Sequence, residues 1–299
     1  MLQPFQLYEP TTVTEASSIL GDLGDQACAY AGGTELLLAM KHGLLRYAHL
    51  VNVKRVGLGG ISFDEEADCL RIGATATHRE VERSALVAAR LPLLSSMERH
   101  LANVRVRAVG TAGGNLCFAE PHSDLATVLL LHNATVKIGS VSGTRAVGIA
   151  DFLVDAYTTC LRPGELLLEI AVPRLSGDMG AAYRKFAFFE RPTVGVGTAL
   201  VATADRTTVA EARIAVGCVG PMPFRAAKAE AILAGVPLAG HAFDTALREA
   251  ADEVARGCHP VDDLYGSGDY KRHLAMVLTK RAIAAARDRL HGETTDDAE

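Results

Sequence analysis

The chain has 299 residues, enough for one large domain or two to three modest ones with cores of their own. Apolar residues make up 49% and charged residues 22%, and the formal net charge of −5 comes with Lys and Arg scattered among acids, which excludes a nucleic-acid footprint. No apolar run reaches the length of a membrane-spanning helix, and "MLQPFQLYEP" lacks the charged and apolar regions of a signal peptide, so the expected compartment is the cytoplasm.

From Thr12 the pattern predicts a helix ("TVTEASSIL"), a Gly/Asp turn and an apolar strand ("ACAYAG"). A helix from Thr34 to about His42, stopped by Gly43, and a strand ("HLVNVK") complete a βαβ unit. An acidic hairpin follows ("ISFDEEADCLRIGA"), then a helical stretch in which Thr77 and Glu80 have the spacing of a capping box and Pro92 breaks one helix into two. Next come "TAGGNL" and "PHSDLATVLLLHNATVKIG", where Ser123 and Asp124 can cap an apolar helix leading into a strand, repeating the first arrangement in outline.

The segment after Gly143 predicts strand, short helix, a turn at Pro163-Gly164 and a buried strand ending near Pro173. Beyond the loop-like "LSGDMG", three alternating stretches ("AAYRKFAFF", "VGVGTALVAT", "EARIAVGCVG") predict an antiparallel sheet, and Ala/Arg-rich helices follow. The domains expected are 1–176, with subdomains of about 1–55 and 56–176, then 177–287, and a polar tail at 288–299 expected to be disordered. The six cysteines are far apart, without zinc or iron–sulfur spacing, and are expected to be reduced thiols packed as small apolar residues. No metal site is expected.

Two glycine pairs carry the chemistry. Gly32-Gly33, followed by Thr34, and Gly113-Gly114, between Thr111 and Asn115, sit where a backbone free of Cβ atoms and with open N–H groups could approach a phosphate. Neither fits the GxGxxG fingerprint or the GxxxxGK[ST] loop, so a Rossmann or P-loop fold is unsupported. Two N–H-rich loops converging could bind a pyrophosphate as a nest does, and the residues alone reach no further than a phosphate-bearing ligand.

Taken in order, "AGGTELLLAMKHG", "RVRAVGTAGGNLCFAEPHSDLATVLLLHNATV" and "LRPGELLLEIAVPR" resemble the FAD-binding medium subunit of the molybdenum hydroxylases. That family includes carbon monoxide dehydrogenase, xanthine dehydrogenase and bacterial nicotine, quinoline and caffeine dehydrogenases. The likeness continues through "VGCVGPMPFRAAKAEAILAG" and "YGSGDYKRHLAMVLTKRAI", so it spans nearly the whole chain. It implies an α+β architecture: a two-subdomain PCMH-type FAD-binding fold, then a C-terminal domain of a three-stranded antiparallel sheet and a helical bundle.

The resemblance further implies that Ala31, Gly32, Gly33, Thr34, Glu35 and Leu36, with Thr111, Ala112, Gly113, Gly114 and Asn115, hold FAD, chiefly its pyrophosphate and ribityl chain. Asp124 takes the acidic position near the nucleotide, Leu167 packs by the flavin or adenine, and Lys185 lies near the isoalloxazine. The sequence departs from the family at Pro192-Thr193-Val194-Gly195, where Val194 replaces an aromatic residue. Thr34-Glu35 replaces the His-Ser of carbon monoxide dehydrogenase, which argues for an organic substrate in the partner subunit. The four-cysteine insertion of 4-hydroxybenzoyl-CoA reductase is absent.

By the same resemblance the chain is an oxidoreductase subunit that carries FAD, receives electrons from a small 2Fe-2S subunit served by a large molybdopterin subunit, and delivers them to an external acceptor. A heterotrimer, paired into a dimer of heterotrimers, is the expected assembly. No side chain is expected to act as nucleophile or general base. Two alternatives stay open: a self-contained FAD oxidase or reductase of related fold, and a nucleotide-binding assembly module. Of the remaining polar residues, His122 is expected to face solvent, Cys117 to be packed, and Arg105 and Arg107 to meet phosphate, a partner or surface acids.

Overall fold

The computed structural model describes residues 2–175, 177–188 and 191–292. They form two compact units: the chain up to Glu120 together with Asn133–Pro173, and Pro121–His132 together with the chain from Arg174 onward.

The first unit begins with β1 (Gln6–Tyr8), α1 (Val13–Leu23), β2 (Ala27–Tyr30), α2 (Leu36–Lys41) and β3 (His49–Asn52). Both β1 and β2 pair in parallel with β3, which makes β2-α2-β3 the βαβ unit expected from the sequence. Thr12 starts α1 by accepting a hydrogen bond from the Glu15 N–H, while the Glu15 carboxylate accepts one from Thr11 N–H. One helical turn apart, Ala16 and Leu20 face inward and pack with Val51 and Val53. β1 was not legible in the sequence, because three mostly exposed residues carry no periodic signal.

Next come the hairpin β4 (Ile61–Asp64) and β5 (Cys69–Gly73), then five short helices: α3 (His78–Arg83), α4 (Ala85–Arg90), α5 (Pro92–Arg99), α6 (Val104–Val109) and α7 (Ala112–Phe118). The capping box is present: Glu80 N–H donates to the Thr77 hydroxyl at 3.1 Å, and Thr77 N–H to the Glu80 carboxylate at 2.6 Å. Pro92 opens α5 as expected, but a second break occurs at Ser84, whose hydroxyl accepts from Val87 N–H and caps α4. The stretch is therefore three helices, not two.

After α8 (Asp124–Leu131), which belongs to the second unit, the first resumes with β6 (Thr135–Ser140), β7 (Gly143–Gly148), α9 (Ile149–Phe152), the small hairpin β8 (Leu153–Asp155) and β9 (Thr158–Thr159), and β10 (Leu166–Pro173). Five strands form an antiparallel sheet in the order β4-β5-β10-β6-β7. Its core residues alternate along the strands as a one-sided sheet requires: Leu70 and Ile72, Val136 and Ile138, Ile170 and Val172, each at most 1% exposed.

In the second unit β11 (Met179–Phe186), β12 (Val194–Ala202), β13 (Val209–Gly217) and the two-residue β14 (Phe224–Arg225) form an antiparallel sheet in sequence order. One face packs Val194, Val196, Leu200 and Ile214 against α10 (Ala227–Leu233), α11 (His241–Gly257) and α12 (Gly268–Leu290), with Phe243 and Ile283 fully buried among them. The other face receives α8, all eight of whose residues are buried. Burial of this kind stabilises by about 1.5–3 kcal/mol per large apolar side chain, so truncating Leu129 to Ala would cost about 2–5 kcal/mol. Gly217 lets α8 approach, since a Cβ there would collide with the Thr127 hydroxyl. The tail expected at 288–299 starts inside α12; from residue 293 it lies outside the described residues.

Candidate functional site

The first glycine loop turns β2 into α2. Gly33 has φ +71°, a left-handed conformation that strains any side-chain-bearing residue, and a Cβ on it would run into the Tyr30 ring. A Cβ on Gly32 would collide with the Val109 carbonyl oxygen and stand 2.7 Å from Gly110 Cα. The two glycine loops thus touch, and glycine at 32 is demanded by the protein's own packing. The backbone N–H groups of Gly32, Gly33 and Thr34 meet no acceptor among the described residues, and all three residues are half-buried rather than sealed. Successive open N–H groups at the start of a helical turn are what an anionic oxygen needs.

The second loop is built differently. No strand precedes it; it joins α6 to α7, and residues 74–78, a turn that leads into α3, run alongside, with an antiparallel bridge between Thr77 and Thr111. Along that seam His78 N–H donates to Gly110 O (3.0 Å), Ala112 N–H to Ala76 O (2.9 Å) and Gly113 N–H to Ala74 O (3.0 Å). The Thr111 hydroxyl accepts from Gly114 N–H at 3.1 Å as the N-cap of α7, and Asn115 N–H donates to Thr111 O. The expectation of free N–H groups at this loop is therefore corrected: all four are consumed inside the protein. Thr111, Ala112 and Gly113 are buried, whereas Gly114 is exposed and Asn115 half-buried. Gly113 fits because a Cβ would stand 2.6 Å from the Ala74 carbonyl oxygen.

Ala31 and Glu35 flank the first loop, half-buried, and Leu36 is turned inward at 9% exposed. Leu167 is buried in β10, 4% exposed, and leaves a ligand little surface. Asp124 and Lys185 fall in the second unit and answer each other: the carboxylate, 3% exposed, accepts from Lys185 Nζ at 2.7 Å and from the Tyr183 hydroxyl at 2.6 Å. Burial, then the Asp124 charge, holds the Tyr183 phenol well above its usual pKa range. Tyr183 was missed by sequence reasoning, although strand alternation in "AAYRKF" places it on the same face as Lys185. Val194, where an aromatic residue was sought, lies fully buried in the core with the helices of its unit.

Three smaller expectations meet different outcomes. His122 does not face solvent: its side chain is 10% exposed, with Nε2 3.3 Å from the Asp263 carboxylate and its ring against Tyr265. Cys117 is an exposed residue on the short helix that the second loop opens, yet burial of its sulfur raises the thiol pKa to about 12, as a packed thiol's would be, and Cys69, Cys218 and Cys258 are buried. Arg107 meets an acid, one of the outcomes expected for it: it pairs with Glu82 and donates to the carbonyls of Leu101 and Ala102.

Residues 3–175 match the family described as the FAD binding domain in molybdopterin dehydrogenase, and residues 181–286 match the CO dehydrogenase flavoprotein C-terminal domain. The chain belongs to this family. It is 34% identical to the carbon monoxide dehydrogenase medium chain of Hydrogenophaga pseudoflava over 96% of this chain and 98% of that one. It is 32% identical to the nicotine 6-hydroxylase medium subunit of Paenarthrobacter nicotinovorans, over 93% and 95%. Among solved structures, carbon monoxide dehydrogenase from Hydrogenophaga pseudoflava superimposes with TM-score 0.91 at 32% identity over 97% of this chain and 99% of that chain. Quinoline 2-oxidoreductase from Pseudomonas putida 86 gives 0.90 at 28%, with the same coverage. As a medium subunit of the molybdenum hydroxylase family, the chain is an oxidoreductase component with an FAD-binding domain, and its α+β fold is the one its family relationship implies.

The residues present fit FAD. Within the first unit, unused N–H donors at positions 32–34 and the Thr34 hydroxyl offer a diphosphate polar contacts, and exposed Gly114 adds no Cβ that would obstruct it. Among the described residues, no helix is long and apolar enough to cross a membrane.

Proposed function

We propose that this chain is the FAD-carrying electron-transfer subunit of a molybdenum hydroxylase complex. It takes electrons from the 2Fe-2S clusters of a small partner subunit, which are fed by a large molybdopterin-binding subunit, and passes them from FAD to an external acceptor. The observation that carries this reading is the succession, in one chain, of the FAD domain over 3–175 and the flavoprotein C-terminal domain over 181–286. A self-contained flavoenzyme would need a substrate domain where the second match lies.

When bound, FAD supplies the redox chemistry, accepting electrons singly and releasing them singly or as a hydride pair. The chain's own work is binding and orientation. Gly32, Gly33 and Thr34 aim backbone N–H groups at the diphosphate, the Thr34 hydroxyl adds a hydrogen bond, and Ala31, Glu35 and Leu36 complete the turn. Gly114 and Asn115 present the open side of the second loop; Thr111, Ala112 and Gly113 brace it from within. No side chain acts as nucleophile or general base.

The assembly is a heterotrimer, paired into a dimer of heterotrimers, in the cytoplasm. An absorption spectrum of natively purified material, with a gel of what co-purifies, tests the reading. Releasable FAD with iron–sulfur absorbance and two further bands is expected. A lone yellow chain that reduces a substrate unaided, or a colourless chain that retains no flavin, would contradict it.

A further inference from the structure

Glu98 of α5 is 0% exposed, and both its carboxylate oxygens face Nδ1 of His78, itself 2% exposed, at 3.0 and 3.1 Å. Two ionisable groups removed from water are tolerated only when each answers the other. A carboxylate accepts hydrogen bonds, so Nδ1 carries the hydrogen and the orientation of the ring is fixed.

The position of this pair is informative. His78 opens α3 at the end of the turn segment that backs the second loop, and its own N–H donates to Gly110 O at 3.0 Å. Its ring atom Cδ2 lies 3.3 Å from where a Cβ on Gly110 would stand, and the Thr34 hydroxyl lies 3.5 Å from the same point. Gly32 in turn rests on the Val109–Gly110 peptide, against the Val109 carbonyl oxygen and Gly110 Cα. One edge of the imidazole is thus held by Glu98, and the opposite edge backs the junction of the two glycine loops, beside Thr34.

We propose that His78, locked by Glu98, is a positioning residue for FAD: it sets how closely Gly110 approaches Gly32, and with it the aim of the Gly32, Gly33 and Thr34 donors. This rests on the reading that those donors hold FAD. Neither His78 nor Glu98 touches the cofactor; they act through the backbone of the loops.

The test titrates the full-length chain, stripped of flavin, with FAD, and follows unfolding of the flavin-free protein in parallel. Removing only the imidazole would leave a buried carboxylate unpaired, so the variant of choice is the double substitution His78→Phe with Glu98→Leu, which removes both polar groups at similar volume. It is expected to unfold near the wild-type midpoint yet bind FAD roughly tenfold or more weakly. His78→Asn, whose amide nitrogen can take the place of Nδ1 before Glu98, is expected to stay within about threefold of wild type. A folded double variant with wild-type affinity overturns the proposal, as does a His78→Asn variant no better than the double. Should the double variant not fold, Gly110→Ala replaces it, because its Cβ would stand 2.9 Å from the Val106 carbonyl oxygen and 3.3 Å from the imidazole, so that Gly110 itself must shift while the His78–Glu98 bond stays intact. The same loss of affinity is then expected, and unchanged affinity overturns the proposal. Failure of the wild-type chain to bind FAD would instead sink the cofactor reading itself.

Discussion

The two glycine loops look alike as strings of letters and differ as structures. In the first, glycines at 32 and 33 bend the chain tightly and leave three consecutive backbone donors without an acceptor among the described residues. In the second, the glycine at 113 allows a helix to press against residue 74, and the donors of positions 112–115 are all answered by the protein. The lesson is that a glycine pair reports close approach of a backbone to something, and only the hydrogen-bond partners say whether that something is a ligand or the protein itself. On the proposed reading, the first loop is the ligand-facing element and the second is chiefly the scaffold that holds it.

The largest effect expected from breaking this arrangement is that of Gly32→Ala. Its Cβ meets backbone rather than a movable side chain, so the loops must separate; a stability loss of about 3 kcal/mol and loss of retained FAD are expected, read by thermal unfolding and flavin release. Thr34→Val keeps the volume and removes the hydroxyl. A hydrogen bond to a charged group contributes about 1.5–3 kcal/mol, so FAD affinity should fall by roughly tenfold or more while the unfolding midpoint of the flavin-free chain stays put. Thr111→Ala should do the reverse. Loss of the N-cap costs about 1 kcal/mol of stability, with FAD affinity almost unchanged in a fluorescence titration. If Thr111→Ala loses FAD more severely than Thr34→Val, the division of labour between the loops is wrong.

Much of this was legible beforehand, for identifiable reasons. The capping box at Thr77, the break at Pro92, the βαβ unit and the long alternating strands of the second unit are local patterns whose physics acts within a few residues. The short β1 was not, since it exists only through its pairing with β3, far along the chain; the break at Ser84 and the helical character of "AGGNLCF" rest on local caps, at Ser84 and Thr111, that the surrounding pattern did not single out. The sequence also located both loops of the candidate site, but it could not show that residues 74–78 would occupy the second loop's N–H groups, nor that His78 and Glu98 would meet beneath it. Likewise the pairing of Asp124 and Lys185 was hidden, because it is made across 61 residues of chain together with a tyrosine that alternation alone had no reason to single out.

Amide hydrogen exchange, resolved at the two loops and measured with and without FAD, tests the central claim most directly. The N–H groups of Gly32, Gly33 and Thr34 should exchange rapidly in the flavin-free chain and become protected when FAD binds, while those of Ala112, Gly113 and Gly114 should be protected in both states. First-loop amides indifferent to FAD, or second-loop amides that exchange freely until FAD is added, would contradict the assignment of the first loop to the cofactor and the second to the scaffold.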